Sequence, residues 1–116
     1  MKYKALELLK NLSNQLSLSY EPQDWGIINA DSSRFIEFNK YYCDSNLESC
    51  EKYQIEELII ASFNEVLLNN MQTYESLSVF FGFLNKAEHK VVLDYWQSLN
   101  EDEFPVARII KIAGKN

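Results

Sequence analysis

The chain has 116 residues, of which 47% are hydrophobic and 24% are charged, and its net charge is −6. This is ordinary single-domain size with enough apolar material for one core, and three glycines with two prolines exclude collagen-like and low-complexity classes. The scarcity of turn residues also argues against a β-sandwich, so we predict an all-α fold in which residues 1–116 form a single helical domain of about five or six helices.

Two helices are predicted in the first third of the chain. Helix one extends from Tyr3 to Leu16, and the dipeptide Glu21-Pro22 lies in the loop that follows it, because the residue before a proline avoids helical torsions. Asp31-Ser32-Ser33 supplies N-cap residues for helix two, which runs to about Tyr42. The apolar stripe of helix one has three- and four-residue spacing and consists of Ala5, Leu8, Leu9, Leu12 and Leu16.

The middle of the chain is predicted to hold a polar connector and two helices. The connector spans Cys43 to Glu51, and Ser45-Asn46-Leu47-Glu48 within it has the form of a capping box. The longest helix covers Tyr53 to Asn69, which contains no glycine or proline. Thr73 is a cap for the next helix, which is apolar nearly all round and in which Gly82 predicts close packing.

The last third of the chain is predicted to hold one clear helix and one ambiguous element. Asn85-Lys86-Ala87-Glu88 has capping-box spacing and opens a helix that continues to Leu99. After the acidic loop Glu101-Asp102-Glu103-Phe104-Pro105, the element Val106 to Ala113 is a helix by its charge distribution, with a strand as the alternative because of its β-branched residues. Gly114 ends it.

Charge is distributed unevenly along the sequence. Residues 21–105 contain sixteen acidic and five basic side chains, a net charge of −11, whereas the first twenty residues and the tail from Val106 are both basic. Such an acidic segment repels the phosphate backbone, so no nucleic-acid binding is expected, and a basic protein partner is favoured. The alternative is that the acids only keep the domain soluble.

The sequence predicts a cytoplasmic protein. The N-terminal residues interrupt their apolar positions with charges, unlike a signal peptide, and the longest apolar tract, Leu77 to Leu84, is far shorter than the roughly 20 residues of a membrane span. Cys43 and Cys50 match neither a redox pair nor a zinc site, so we expect free thiols, with a short-loop disulfide as the alternative.

Motifs of catalysis are absent from the sequence. The one histidine, His89, is expected to be a surface residue without a catalytic role, and adjacent acids such as Glu56-Glu57 point in different directions on a helix. No calcium loop, P-loop or dinucleotide fingerprint occurs, so we expect no enzyme activity, no cofactor and no metal. Trp25, between Asp24 and Gly26, is either an exposed binding anchor or a plug for the helical bundle.

Several segments between Asp24 and Pro105 carry a family resemblance. They are Asp24-Trp25-Gly26-Ile27-Ile28-Asn29-Ala30-Asp31 followed by Arg34, Glu37-Phe38 and Tyr41, then Glu57-Leu58-Ile59 with Ser62, Asn64 and Glu65, then Tyr95-Trp96 and Phe104-Pro105. Together these resemble the small acidic immunity proteins of bacterial contact-dependent growth inhibition and related polymorphic toxin systems.

This resemblance implies a cytosolic antidote that binds a basic toxin domain, often a nuclease, as a heterodimer. An inhibitor of a nuclease gains association rate and specificity by presenting carboxylates where nucleic acid would lie. An acidic adaptor or a DNA-mimicking regulator with another basic partner is the alternative. The predicted partner-binding residues are the acids of the acidic segment and one aromatic: Asp24, Trp25, Asp31, Glu37, Asp44, Glu48, Glu51, Glu56, Glu57, Glu101, Asp102 and Glu103.

Overall fold

The secondary structure of the chain is helical, as the sequence predicts. The computed structural model describes the backbone of residues 2–114 and the side chains of residues 6–114, so Ala5 of the first predicted stripe and Lys115 of the basic tail lie outside the described side chains. Residues 2–114 contain helices and no strand. The helices are α1 (Lys2–Leu16), α2 (Trp25–Ile28), α3 (Phe35–Asp44), α4 (Ser49–Leu68), α5 (Tyr74–Lys86), α6 (Lys90–Gln97) and α7 (Val106–Gly114), with a 3₁₀ turn at Ser32–Arg34 before α3.

Helix α4 lies at the centre of the globule. The helices α2, α3, α6 and α7 all pack against it. Its apolar side chains are buried around most of its circumference, which explains why the sequence of this helix is rich in isoleucine, leucine and phenylalanine. Phe63 of α4 stacks on Phe80 of α5 with 4.2 Å between ring centroids, and Phe35 of α3 completes the aromatic core at 4.9 Å from Phe63.

Both α1 and α4 end at a residue with left-handed backbone torsions. Ser17 has φ 56° and Asn70 has φ 54°. In each case the next residue closes the helix by donating its N–H to a carbonyl five residues back, Leu18 to Ser13 and Met71 to Val66, both at 2.8 Å. These two ends agree with the predicted helix limits within one or two residues.

Close helix packing occurs at Gly26 rather than at Gly82. A Cβ atom on Gly26 would lie 2.9 Å from the backbone nitrogen of Leu58 and 3.1 Å from Cγ of Glu57, so only glycine lets α2 sit directly on α4. A Cβ on Gly82 would meet nothing within 4 Å. The expectation of close packing at Gly82 is therefore wrong.

Helix α4 begins at Ser49, earlier than the predicted start at Tyr53. Glu48 is its N-cap: the Glu48 carboxylate accepts the backbone N–H of Glu51, and the Glu51 carboxylate accepts that of Glu48 at 2.9 Å. This reciprocal capping box replaces the one predicted at residues 45–48, because glutamate reaches the same backbone donors as serine. The connector between α3 and α4 is correspondingly shorter than predicted.

Two further predictions for the second half of the chain are corrected and one is confirmed. Thr73 caps α5 by accepting the N–H of Ser76 at 3.0 Å, as predicted. The capping box predicted at residues 85–88 does not form, because α5 continues to Lys86 and α6 starts at Lys90. Residues 106–113 are helical, so the strand alternative is wrong: Asn64 of α4 accepts the first N–H of α7, from Val106, at 3.2 Å.

Candidate functional site

Two of the twelve predicted partner-binding residues are buried in the core. Trp25 is 2% exposed, and its indole N–H donates to Ser13 Oγ of α1 at 2.9 Å. It therefore plugs the bundle and does not reach the surface as an anchor. Glu56 is 0% exposed, so it cannot contact a partner directly either.

Several other predicted residues are already engaged within the protein. Asp31 accepts the N–H of Ser33 at 2.9 Å and so caps the 3₁₀ turn. The Arg34 guanidinium bonds both oxygens of Glu37, and this hydrogen bonding lowers the pKa of the Glu37 carboxyl. The remaining engaged acids are Asp44 in an ion pair with Lys40 at 2.8 Å, Glu48 and Glu51 in the capping box of α4, and Glu101 in an ion pair with Lys111 at 2.6 Å.

Asp102 and Glu103 occupy an exposed turn between α6 and α7. Their backbone N–H groups donate to Oδ1 of Asn100, which fixes the turn and leaves both carboxylates pointing to solvent. Neither carboxylate forms an ion pair with any side chain of residues 6–114. This turn is therefore one of two places where predicted acids are accessible and unpaired within the described part of the chain.

The second such place is the α2 face, which we define as Asp24, Ile27, Ile28 and Glu57. Asp24 precedes α2 with a left-handed φ of 55°, a conformation that aspartate tolerates, and the close approach at Gly26 brings α2 onto the Glu57 side chain. Ile27 and Ile28 are 43% and 56% exposed. The α2 face thus combines two acids with two exposed apolar side chains.

The electrostatics of the α2 face distinguish it from the exposed turn. Glu57 is half-buried, and burial raises the pKa of its carboxyl, with the negative charge of Asp24 raising it further. Among side chains 6–114, neither Asp24 nor Glu57 has an ion-pair partner. The charges of Asp24 and Glu57 are therefore not neutralised by any described side chain, and a neutralising cation would come from outside these residues.

A hydrogen-bonded network surrounds Glu56, and no local sequence pattern predicts it. The Glu56 Oε2 accepts the O–H of Tyr42 at 2.6 Å and the N–H of Glu88 at 2.9 Å, and its Oε1 lies 3.2 Å from the backbone N and 3.1 Å from Nδ1 of His89. Burial and the hydrogen bond to Glu56 raise the pKa of the Tyr42 phenol, so Tyr42 stays protonated and donates. Glu56 therefore acts as the anchor for the segment between α5 and α6.

His89 is held in place by this network and is not the free surface residue that was expected. Its side chain is 19% exposed, Tyr53 packs edge-on against it at 5.4 Å, and its Nε2 lies 3.1 Å from Oγ of Ser49. The only sequence signal was the position of Glu56, three residues before Ile59 on a helix with a nearly continuous apolar surface. Nothing local connects it to His89, which is 33 residues away.

Metal clusters and membrane-spanning helices are not found in the described part of the chain. No group of three or more histidine, cysteine, aspartate or glutamate side chains among these residues could hold a metal ion, and Cys43 and Cys50 are both free, as predicted, and exposed. None of the helices within residues 2–114 has the length and apolarity needed to cross a bilayer. A groove of about 720 Å³ lies between α5, α6 and α7 and includes Lys90, Lys111 and Ile110 in its lining.

Comparison with known proteins finds that no protein-family model, no curated protein and no solved structure matches this chain.

Proposed function

We propose that this protein is an immunity protein that binds a cationic toxin domain of the nuclease class through the α2 face and neutralises it as a heterodimer. The observation that carries the proposal is the Glu57 carboxylate, half-buried beside Asp24 with no cation among the described side chains. The free protein bears the cost of holding two like charges together. A lysine or arginine from a partner would remove that repulsion.

The charge of the chain supports a cationic partner. Residues 21–105 carry a net charge of −11, and an acidic field of this kind speeds the encounter with a basic protein while repelling nucleic acid. A nuclease must attract phosphates, so its substrate surface is typically basic. An acidic protein seated on that surface would exclude the substrate.

The apolar part of the α2 face supports a protein partner over a small cation. Ile27 and Ile28 of α2 are exposed and closely follow Asp24 in the chain. Interfaces place apolar side chains at their centre, where water is excluded and charge pairs are strengthened. If Glu57 meets an arginine or lysine in that centre, its removal costs about 2 to 5 kcal/mol of binding free energy.

The test is affinity capture of the product of the reading frame immediately upstream, co-expressed with this protein, at low and high salt. We expect recovery of a basic domain that decreases as salt rises, and survival of cells that express that domain only when this protein is present. Failure to capture any basic domain would contradict the proposal.

A matched pair of variants locates the interface. Asp24→Asn with Glu57→Gln removes two charges from the α2 face, and Asp102→Asn with Glu103→Gln removes two charges from the exposed turn. We expect the first double variant to lose capture and protection, and the second to slow association at most. The opposite result would move the interface to the turn between α6 and α7.

A further inference from the structure

We infer that Ser49, His89 and Glu56 form a nucleophilic relay in which Ser49 accepts an acyl group from a small activated carboxylic ester. This inference is independent of partner binding at the α2 face. It departs from the sequence-based expectation of no enzyme activity, because the three residues come together only in the folded chain.

The hydrogen bonds of the network fix the direction of proton transfer. Glu56 receives two backbone N–H groups, which can only donate, and the O–H of Tyr42, so its carboxylate acts as an acceptor on both oxygens. His89 Nδ1, 3.1 Å from Oε1, therefore carries the proton, and Nε2 has the free lone pair. Ser49 Oγ, 3.1 Å from Nε2, donates its proton toward that lone pair. This is the tautomer that a general base requires.

The positioning groups around the relay are fixed. Glu56 is 0% exposed, and it holds both the ring and the backbone of His89. An ion pair between Lys52 of α4 and Glu88 ties the same segment to the same helix. Because the ring of His89 also packs against Tyr53, little reorganisation is needed before proton transfer.

The place of Ser49 in α4 supplies donors for a developing negative charge. Ser49 is the first residue of a 20-residue helix, and the first N–H groups of a helix have no carbonyl acceptor within it. The N–H of Glu51 is taken by the Glu48 carboxylate, and that of Lys52 by the Glu48 carbonyl at 2.9 Å. The N–H groups of Ser49 and Cys50 remain to stabilise an oxyanion at the positive end of the helix dipole.

The reaction balances without a cofactor or an oxidant. Ser49 Oγ bonds to the carbonyl carbon of the ester while its proton moves to Nε2 of His89, and the carbonyl oxygen takes the negative charge. The bond from carbon to the leaving oxygen then breaks, and that oxygen receives the proton from Nε2. Water then attacks the carbonyl carbon of acyl-Ser49 and gives a proton to Nε2 of His89. The bond from that carbon to Ser49 Oγ breaks, Oγ takes the proton back from Nε2, and the carboxylic acid is released. Ser49 is exposed, so a small ester reaches Oγ directly from solvent.

The experiment treats the full-length protein with p-nitrophenyl acetate and locates acetyl groups by peptide mass spectrometry over time. We expect Ser49 to acetylate at least about 100-fold faster than the exposed Ser78, since general-base assistance contributes on this order. Equal rates at Ser49 and Ser78 would overturn the inference.

Three variants separate the relay from its surroundings. Ser49→Ala leaves the capping box of Glu48 and Glu51 in place, and His89→Asn keeps a side-chain N–H for Glu56 while removing the base. We expect both to remain folded by circular dichroism, the first to lose the fast acetylation and the second to slow acetylation of Ser49 to the rate of Ser78. Cys50→Ala controls for reaction at the neighbouring thiol and should keep the fast phase. Fast acetylation of Ser49 in His89→Asn would exclude His89 as the base.

Discussion

Glu56 and Glu57 are consecutive residues of α4, yet Glu56 belongs to a buried hydrogen-bonded network and Glu57 belongs to the α2 face, where charge is unpaired. Glu56 is fully buried and accepts from Tyr42, from two backbone N–H groups and from His89. Glu57 is half-buried and faces another carboxylate. The two side chains leave the helix about 100° apart, and this rotation alone places them in opposite environments.

The comparison shows why a count of acidic residues does not locate a binding surface. A buried carboxylate surrounded by donors stabilises the fold, whereas a partly desolvated carboxylate beside a like charge destabilises it until a cation arrives. The first glutamate is therefore tied to the architecture of α5 and α6. The second is available to a partner.

The largest expected effect comes from Glu56→Ala. It leaves the Tyr42 hydroxyl and two backbone N–H groups without their acceptor and opens a void in the core, so we expect a loss of about 3 to 5 kcal/mol in the free energy of unfolding. Urea denaturation followed by circular dichroism measures it. Glu56→Gln is the control, which retains one acceptor oxygen and should lose less. A loss below about 1 kcal/mol for Glu56→Ala would show that the Glu56 network contributes little to the stability of the fold.

The next effect is expected from Gly26→Ala. Its Cβ would meet the backbone of α4 at Leu58, which cannot move aside, so α2 must shift at a cost of about 1 to 3 kcal/mol. Gly82→Ala is the matched control, because it lies in the interior of α5 with open space at its Cβ and should stabilise the protein by about 0.5 to 1 kcal/mol. Thermal unfolding of both variants measures these changes. Equal destabilisation by Gly26→Ala and Gly82→Ala would contradict the close packing of α2 on α4 at Gly26.

A smaller effect of opposite sign is expected from Glu57→Gln. The pKa of the Glu57 carboxyl is raised in the folded protein above its ordinary value of 4.5, so folding favours the protonated form. The wild type then loses stability relative to the variant as pH rises from about 4.5 through the raised pKa. Unfolding measured between pH 4 and pH 8 should show the variant to be more stable at neutral pH and equal to the wild type in acid. A variant less stable than wild type at pH 7 would show that Glu57 has a stabilising partner.

The smallest effect is expected for Asp102→Asn with Glu103→Gln. Both side chains are exposed and only their backbone N–H groups take part in the turn, so the free energy of unfolding should change by no more than about 0.5 kcal/mol. The same denaturation experiment provides the measurement. A larger loss in the free energy of unfolding would mean that these carboxylates stabilise the fold, as the Glu56 carboxylate does.

Local sequence rules predict the long elements of this fold well. The periodicity of α4 and the cap at Thr73 involve residues within a few positions of one another, so the sequence carries the necessary information. The four residues of α2 are too few to show a period, and only their contact with α4 at Gly26 stabilises them as a helix. Residues 106–113 form a helix and not a strand, and the first N–H of this helix donates to Asn64, 42 residues away.

The candidate sites also combine residues that the sequence predicts with contacts that it does not predict. Asp24 and Glu57 were predicted as individual acids, but their proximity depends on the packing of α2 on α4. The expected capping box at residues 85–88 did not form, and there Glu56, from another helix, accepts the N–H groups of Glu88 and His89. Contacts between residues more than thirty positions apart determine both sites, and no pattern in a single sequence contains them.

The burial of Trp25 gives the protein an intrinsic fluorescent reporter of the packing of α1 and α2. The indole of Trp25, the first residue of α2, donates to Ser13 of α1, whereas the second tryptophan, Trp96, packs near Phe104 in another part of the core. An indole that enters water emits at longer wavelength, so in a Trp96→Phe variant the fluorescence arises from Trp25 alone. The emission wavelength of Trp25 then reports the separation of α1 and α2 from the rest of the molecule, independently of the unfolding of α6 and α7.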